Sequence, residues 1–353
     1  MRLSLERNIP IDALRGFAIF IMVISNSYDY IFDSNPNIII RLFLSSAAPI
    51  FIFLSGYTFQ LSVEKNKPNI EFIKRIIQIL VIAFVIDIFI WKLFPVQNFD
   101  VLYLISFSLI GMLLLKKFSV NIKLLIALLF ALGSFVLRII LQYRFEMKEL
   151  DLGSLDFNTL SNFYGFDFFK RIIIDGWFPI FPWFSIVIMG AIAKQKIDYI
   201  NKHSKFFGVL GLILMIIASC LFTFNFKDFY SNRNSYIELF YPVSGLFSVY
   251  LLGILGIIFF IITQKSIGVF SKLLFQIVGK FSLFFYFLHS IIIGVFLKIF
   301  FTNNLKENHW YGISVLILFW ILILIIASLL ERYKANLLRN RFFKSLFFII
   351  GIS

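Results

Sequence analysis

The chain has 353 residues, 60% hydrophobic and 19% aromatic, with a mean hydropathy of +0.92, far above the roughly 45–50% apolar content of soluble domains. This excludes an ordinary soluble enzyme and predicts an all-α polytopic membrane bundle of about ten transmembrane helices. The formal charge of +14 comes from lysines and arginines placed between apolar runs rather than on a soluble face, so no nucleic-acid partner is expected. The single Cys220 excludes an intramolecular disulfide and a cysteine metal site, and with only His203, His289 and His309 to add, no metal is expected.

Arg2 and Arg7 precede the first apolar run, which contains Ile11-Asp12-Ala13-Leu14-Arg15-Gly16. In outline this is similar to a signal peptide, but the two charges inside it, and no better cleavage site than Ser25-Asn26-Ser27, make it a retained helix. Ionisable groups in apolar segments cost about 2.5 to 3.5 kcal/mol each on insertion scales, so Asp12 and Arg15 are expected to pair or to serve a site. Three residues apart, they share one helical face, where they neutralise each other and a guanidinium fork can serve a second acceptor. Asn26, with Ser25 and Ser27, ends the run as a polar cluster.

At about 20 residues per span, the predicted spans are 11–30, 38–61, 72–94, 101–115, 124–141, 177–193, 206–224, 239–263, 281–301 and 311–330, the fourth being short. Counted alternately from an inside N-terminus, the inner segments carry about twice the lysine and arginine of the outer ones, which predicts that both termini face the cytoplasm. The connection 143–176 exceeds ordinary loop length, and its Phe157, Phe163, Tyr164, Phe166, Phe168 and Phe169 predict a cap on the outer face. Residues 336–353 mix Arg339, Arg341 and Lys344 with Phe342, Phe343, Phe347 and Phe348, the pattern of an interfacial amphipathic tail after a 1–335 transmembrane domain.

Asp87, in the third span, is either structurally paired or part of a site; Arg138 is a candidate partner, with snorkelling to the interface as its competing fate. His289 is the only histidine at membrane depth, so it either makes an interhelical hydrogen bond or accepts a proton. Pro179 and Pro182 force an irregular start to the sixth span, beside Trp177 and Trp183, which suit an interfacial belt. Ser55-Gly56-Tyr57 reads as a point of close helix packing.

The run Ile11-Asp12-Ala13-Leu14-Arg15-Gly16-Phe17-Ala18-Ile19 with Met22-Val23 and Asn26, followed by Ala48-Pro49-Ile50-Phe51-Ile52-Phe53-Leu54-Ser55-Gly56-Tyr57, resembles the heparan-alpha-glucosaminide N-acetyltransferase catalytic domain family of transmembrane acyltransferases. Phe99-Asp100-Val101-Leu102-Tyr103-Leu104-Ile105, the proline-rich stretch from Phe178 to Phe184 and the Ser-Leu-x-x-Tyr-x-x-His pattern from Ser282 to His289 extend the resemblance over most of the chain. It implies transfer of an acyl group from acyl-CoA, such as acetyl-CoA, on the cytoplasmic side to a saccharide on the other. Lys74 and Arg75, near Lys65 and Lys67, are then placed for CoA phosphates, although positive-inside asymmetry produces the same residues.

The chain departs from the family where its histidine usually stands, at the outer end of the first span or just before the Ala-Pro motif. Asn26 occupies the first place, Ser45 or Ser46 the second, and Tyr103 stands where a histidine is frequent. Asparagine cannot take the acceptor's proton. The base is then His289 or Asp87, or the enzyme works by holding its substrates together, or activity is lost. The expected site is His289 and Asp87 for catalysis, Asp12, Arg15, Asn26, Ser45, Tyr103, Trp183 and Tyr286 for the substrate, and Lys74 and Arg75 for acyl-CoA. The expected location is the plasma membrane, with membrane lipids and a saccharide or glycolipid acceptor as partners and a homodimer left open. The competing expectation is a catalytically silent relative that transports or binds a lipid or glycan; Asp12, Arg15, Asp87 and His289 all lying in or near spans disfavour a pure scaffold.

Overall fold

A computed structural model describes residues 8–32, 36–144, 165–224, 237–264, 268–297 and 309–337. The first helix, α1 (Ile9–Ile31), starts where the sequence dictates. Asn8 caps it by accepting from the Ile11 amide at 3.4 Å, a proline stands in its first turn, and Asp12 lies near the positive helix end. The second predicted span is two helices, α2 (Ile38–Leu44) and α3 (Ala47–Glu64), meeting at Ser45 and Ser46. The third is α4 (Asn69–Val85) followed by a π-helical turn, Ile86–Trp91, that ends at Lys92 in the left-handed region. Then come α5 (Val101–Leu115), α6 (Val120–Ile140), α7 (Phe166–Asp175), α8 (Ile180–Gln195), α9 (Ile197–Lys202) and α10 (Ser204–Thr223). The last four are α11 (Gly245–Ile262), α12 (Lys272–Lys280), α13 (Ser282–Ile291) and α14 (His309–Leu337).

Every predicted span contains a helix, as an all-α membrane bundle requires. Among the described residues, six helices are long and apolar enough to cross a membrane, and up to eight crossings result if α7 with α8 and α12 with α13 each form one bent span. The α12–α13 junction bends by 90°, and α5 has only 15 residues, about 22 Å at 1.5 Å per residue against a hydrocarbon core of about 30 Å. Hydropathy counts apolar residues without seeing breaks. Most of the cap predicted for 143–176 falls in 145–164, and the predicted tail falls in 338–353; both lie outside the described residues.

Two close helix contacts set the frame. A Cβ on Gly279 of α12 would lie 1.7 Å from the Asp12 carbonyl oxygen, and one on Gly16 would lie 1.9 Å from that of Phe275, so α1 and α12 touch backbone to backbone. In the same way a Cβ on Gly56 of α3 would lie 1.8 Å from the Val187 carbonyl oxygen of α8, which confirms the Ser55-Gly56-Tyr57 step as a packing point. Around this core, α6, α10 and α14 are only 17%, 17% and 22% buried over their most apolar windows, leaving Leu129, Leu132, Ile213, Ile317 and Leu318 on an outer, lipid-suited surface. The chain is an integral membrane protein. The face at which α1 starts is called proximal below, and the face at which it ends distal.

Candidate functional site

A cavity of about 560 Å³ opens between the start of α1, the second half of α3, the start of α4, α5 and the α12–α13 bend, within the size range of small-molecule sites. Its lining places Arg15, Lys67, Lys74, Arg75 and Lys280 together with Ser55, Thr58 and Ser62, above an apolar part formed by Leu54, Ile79, Leu102, Ile105 and Leu109. The α4 residues of the lining run from Glu71 to Ile79, about 12 Å of helix rise, so the space extends from the proximal face toward mid-membrane. Lys67 pairs with Glu71 at 3.1 Å, Arg15 with Asp12 at 3.3 Å, and Lys280 with Glu331. Five cations against three carboxylates leave a surplus of two positive charges. Arg75 donates through Nη1 to Gln78 Oε1 at 2.6 Å, a neutral partner that leaves the guanidinium charge uncompensated by that contact.

At the deep end lies Tyr286, on α13 one turn before His289. Its hydroxyl donates to Asp100 Oδ2 at 2.8 Å, and its ring meets the His289 ring edge-on at 5.1 Å. Asp100 is itself fixed, because Oδ1 accepts the Val101 amide at 2.6 Å as the N-cap of α5. His289 is 1% exposed, and its Nε2 lies 3.1 Å from Asn26 Nδ2. An amide nitrogen only donates, so this contact calls for a neutral imidazole with its lone pair at Nε2 and its proton at Nδ1. Asn26 is exposed on the distal side. A continuous chain of contacts therefore runs from cavity to distal surface through Tyr286, His289 and Asn26.

The structure brings Arg15, Lys74, Arg75 and Tyr286 to one cavity, and His289 and Asn26 to its far side. It places the other candidates elsewhere. Asp87 does not line the cavity and does not pair with Arg138; it accepts from the Tyr103 hydroxyl at 2.5 Å and from the Val96 amide at 3.2 Å. That bond holds a strained connection, since Lys92, Val96 and Phe99 all have positive φ and Val96 is β-branched. Tyr103 is therefore a partner of Asp87 in the wall. Arg138 donates to the Val243 carbonyl at 2.6 Å. Ser45 is fully buried, accepting the Leu239 amide at 2.9 Å, and Trp183 packs at 5.4 Å against both Phe178 and Phe240. Asp12, 2% exposed, reaches the cavity only through Arg15.

Sequence reasoning missed Asp100, Lys280, Gln78 and Glu238. Asp100 sat in a quoted motif without a role; an acid directly before a short apolar run is a readable N-cap signal. Lys280 adjoins the Ser282–His289 pattern, but the bend that turns it to the cavity leaves no mark in hydropathy. Glu238, in the connection before α11, bonds to the Ser25 hydroxyl. Burial pushes its carboxyl above the ordinary glutamate range, Asp29 adds to the shift, and the Ser25 hydrogen bond and Arg41 oppose it.

No curated protein matches the chain. A family model described as a protein of unknown function (DUF418) matches residues 192–336. The model described as heparan-alpha-glucosaminide N-acetyltransferase, catalytic, matches residues 7–211, which hold α1 with Arg15 and Asn26, the cavity walls of α3, α4 and α5, and the proline-rich start of α8. The chain thus belongs to the heparan-alpha-glucosaminide N-acetyltransferase catalytic family.

Proposed function

We propose that this protein is a plasma-membrane acyltransferase that takes an acyl group, acetyl in the simplest case, from acyl-CoA held in the cationic cavity and passes it to an envelope saccharide. The proximal face is then cytoplasmic, in line with the excess of lysine and arginine there. The observation that carries this proposal is the single space that joins a surplus of positive charge to an apolar interior ending at Tyr286, 5.1 Å from the His289 ring. Lys74 and Arg75, with Arg15 and Lys280 beside them, offer charge-assisted donors for the phosphates of a CoA ester, and the apolar depth suits the thioester arm.

In the transfer the acceptor hydroxyl or amine attacks the thioester carbonyl carbon, its proton passes to His289 Nε2, and the carbon–sulfur bond breaks as the leaving thiolate takes that proton to depart as CoA, which restores the neutral imidazole. Asn26 keeps the Nε2 lone pair directed toward the distal side until the acceptor displaces it. Proton transfer of this kind contributes about 10²- to 10⁴-fold. Asp87 supports the arrangement from behind, by holding the connection that presents Asp100 to Tyr286.

A second proposal draws on Asn26, which stands where the family resemblance calls for a histidine: a catalytically silent relative that binds or transports a glycan or lipid. Incubating the purified protein with labelled acetyl-CoA and envelope sugars separates the two. Transfer of label, lost in His289→Ala, supports the enzyme. Thermal stabilisation by CoA, worth about 2.7 kcal/mol at a hundredfold excess over Kd, without any transfer supports the silent relative. Neither stabilisation nor transfer removes the acyl-CoA proposal.

A further inference from the structure

We infer that Tyr286, held by Asp100, is the partition that separates the cationic cavity from the Asn26–His289 face, so that passage between the two sides of the membrane is controlled at this one side chain. Tyr286 both lines the cavity and packs on the His289 ring, whereas His289 and Asn26 lie outside the lining. Beyond His289 the next contact, Asn26, is already exposed on the distal side. Along this route the cavity and Asn26 are therefore separated by two side chains, Tyr286 and His289.

The way Tyr286 is held fits that task. The α13 backbone fixes its ring, as Ser290 Oγ donates to the Tyr286 carbonyl oxygen at 3.1 Å, while its hydroxyl is tied to another helix through Asp100. Asp100 cannot follow a moving tyrosine, because its second oxygen is committed to the Val101 amide and the connection behind it is pinned by Asp87. A swing of the ring must therefore break the hydroxyl–carboxylate bond, and a phenylalanine in its place swings without that restraint. This inference rests on the shape of the site and on no assumption about the ligand.

The test uses the full chain in proteoliposomes of known orientation, with Cys220→Ser to remove the only native thiol and Ser55→Cys to place one in the cavity lining. A charged, membrane-impermeant methanethiosulfonate is added to one side at a time. With Tyr286 present, Ser55→Cys is expected to react from the proximal side only. Tyr286→Ala should permit reaction from both sides, with distal labelling at least tenfold faster, and Tyr286→Phe, which keeps the ring and loses only the bond to Asp100, should fall between. Proximal labelling at the unchanged rate shows in each case that the fold is intact, and Tyr286→Phe decides the matter if the alanine variant does not fold. Two-sided labelling with Tyr286 present, or distal rates unchanged in the Phe variant and in any folded Ala variant, overturns the inference. Because no acyl-CoA is used, this failure is distinct from failure of the transferase proposal.

Discussion

The two ends of the α3–α5 region treat polar side chains in opposite ways. Around the proximal cavity, Lys74 and Arg75 line open space, and the charges there outnumber their counter-charges. In the distal block the polar groups are closed on one another or on backbone: Asp87 on Tyr103, Ser45 on the Leu239 amide, and Arg138 on the Val243 carbonyl beside Trp183 and Phe240. An ionisable residue at membrane depth is therefore not by itself a site. What separates site from scaffold here is whether its partner is a fixed protein group or a space.

The contrast depends on α12 staying against α1, so its largest disruption should come from Gly279→Ala. The added methyl meets the Asp12 carbonyl oxygen, a backbone atom with no flexible end to yield. A loss of about 3 kcal/mol is expected, the top of the overpacking range, measured by thermal unfolding in detergent. Gly245→Ala, which meets nothing within 4 Å, is the control and should be close to neutral. Equal losses in both variants would show that the α1–α12 contact is not what frames the cavity.

Reversing charge at the cavity mouth should act on binding and leave stability alone. Lys74→Glu with Arg75→Glu is expected to weaken CoA affinity about 100-fold, close to 2.7 kcal/mol, while the melting temperature without ligand stays near wild type, because both residues are exposed. Titration by thermal shift or calorimetry decides it. Unchanged affinity would mean that the charge surplus serves topology alone.

Tyr103→Phe inverts that pattern. Removing the hydroxyl leaves the buried Asp87 carboxylate with one donor fewer, expected to cost about 2 kcal/mol, with CoA affinity unchanged because neither residue lines the cavity. A fall in affinity without a fall in stability would return Asp87 and Tyr103 to the site.

These assignments show what the sequence made legible. The helical bundle and the grouping of Arg15, Lys74, Arg75 and Tyr286 around one cavity follow from apolar run length, charge position and motif, all local properties. Asp100 and Lys280 were hidden because their placement depends on a strained connection and a 90° bend, which are set by tertiary packing. Asp87 was open to two readings for a related reason: an acid in a span signals that a partner exists, and only the fold reveals that the Tyr103 hydroxyl and the Val96 amide bond to it.

The smallest expected effect lies at the distal edge of the contrast, where Glu238 meets Ser25. Burial raises the Glu238 carboxyl above its ordinary value of 4.5, so the folded protein holds this proton more tightly than the unfolded chain. The contribution to stability is complete below the unfolded value and is lost as pH rises through the folded one. Glu238→Gln, which resembles the protonated acid, has no proton to lose. Melting temperatures measured from pH 4 upward should therefore show the wild type losing ground to Glu238→Gln as pH climbs past 4.5, and the difference should level off once the folded group has ionised. Parallel curves for the two proteins would mean that Glu238 is solvated at the distal face, which would place it with the open polar groups of the cavity instead of the closed ones of the distal block.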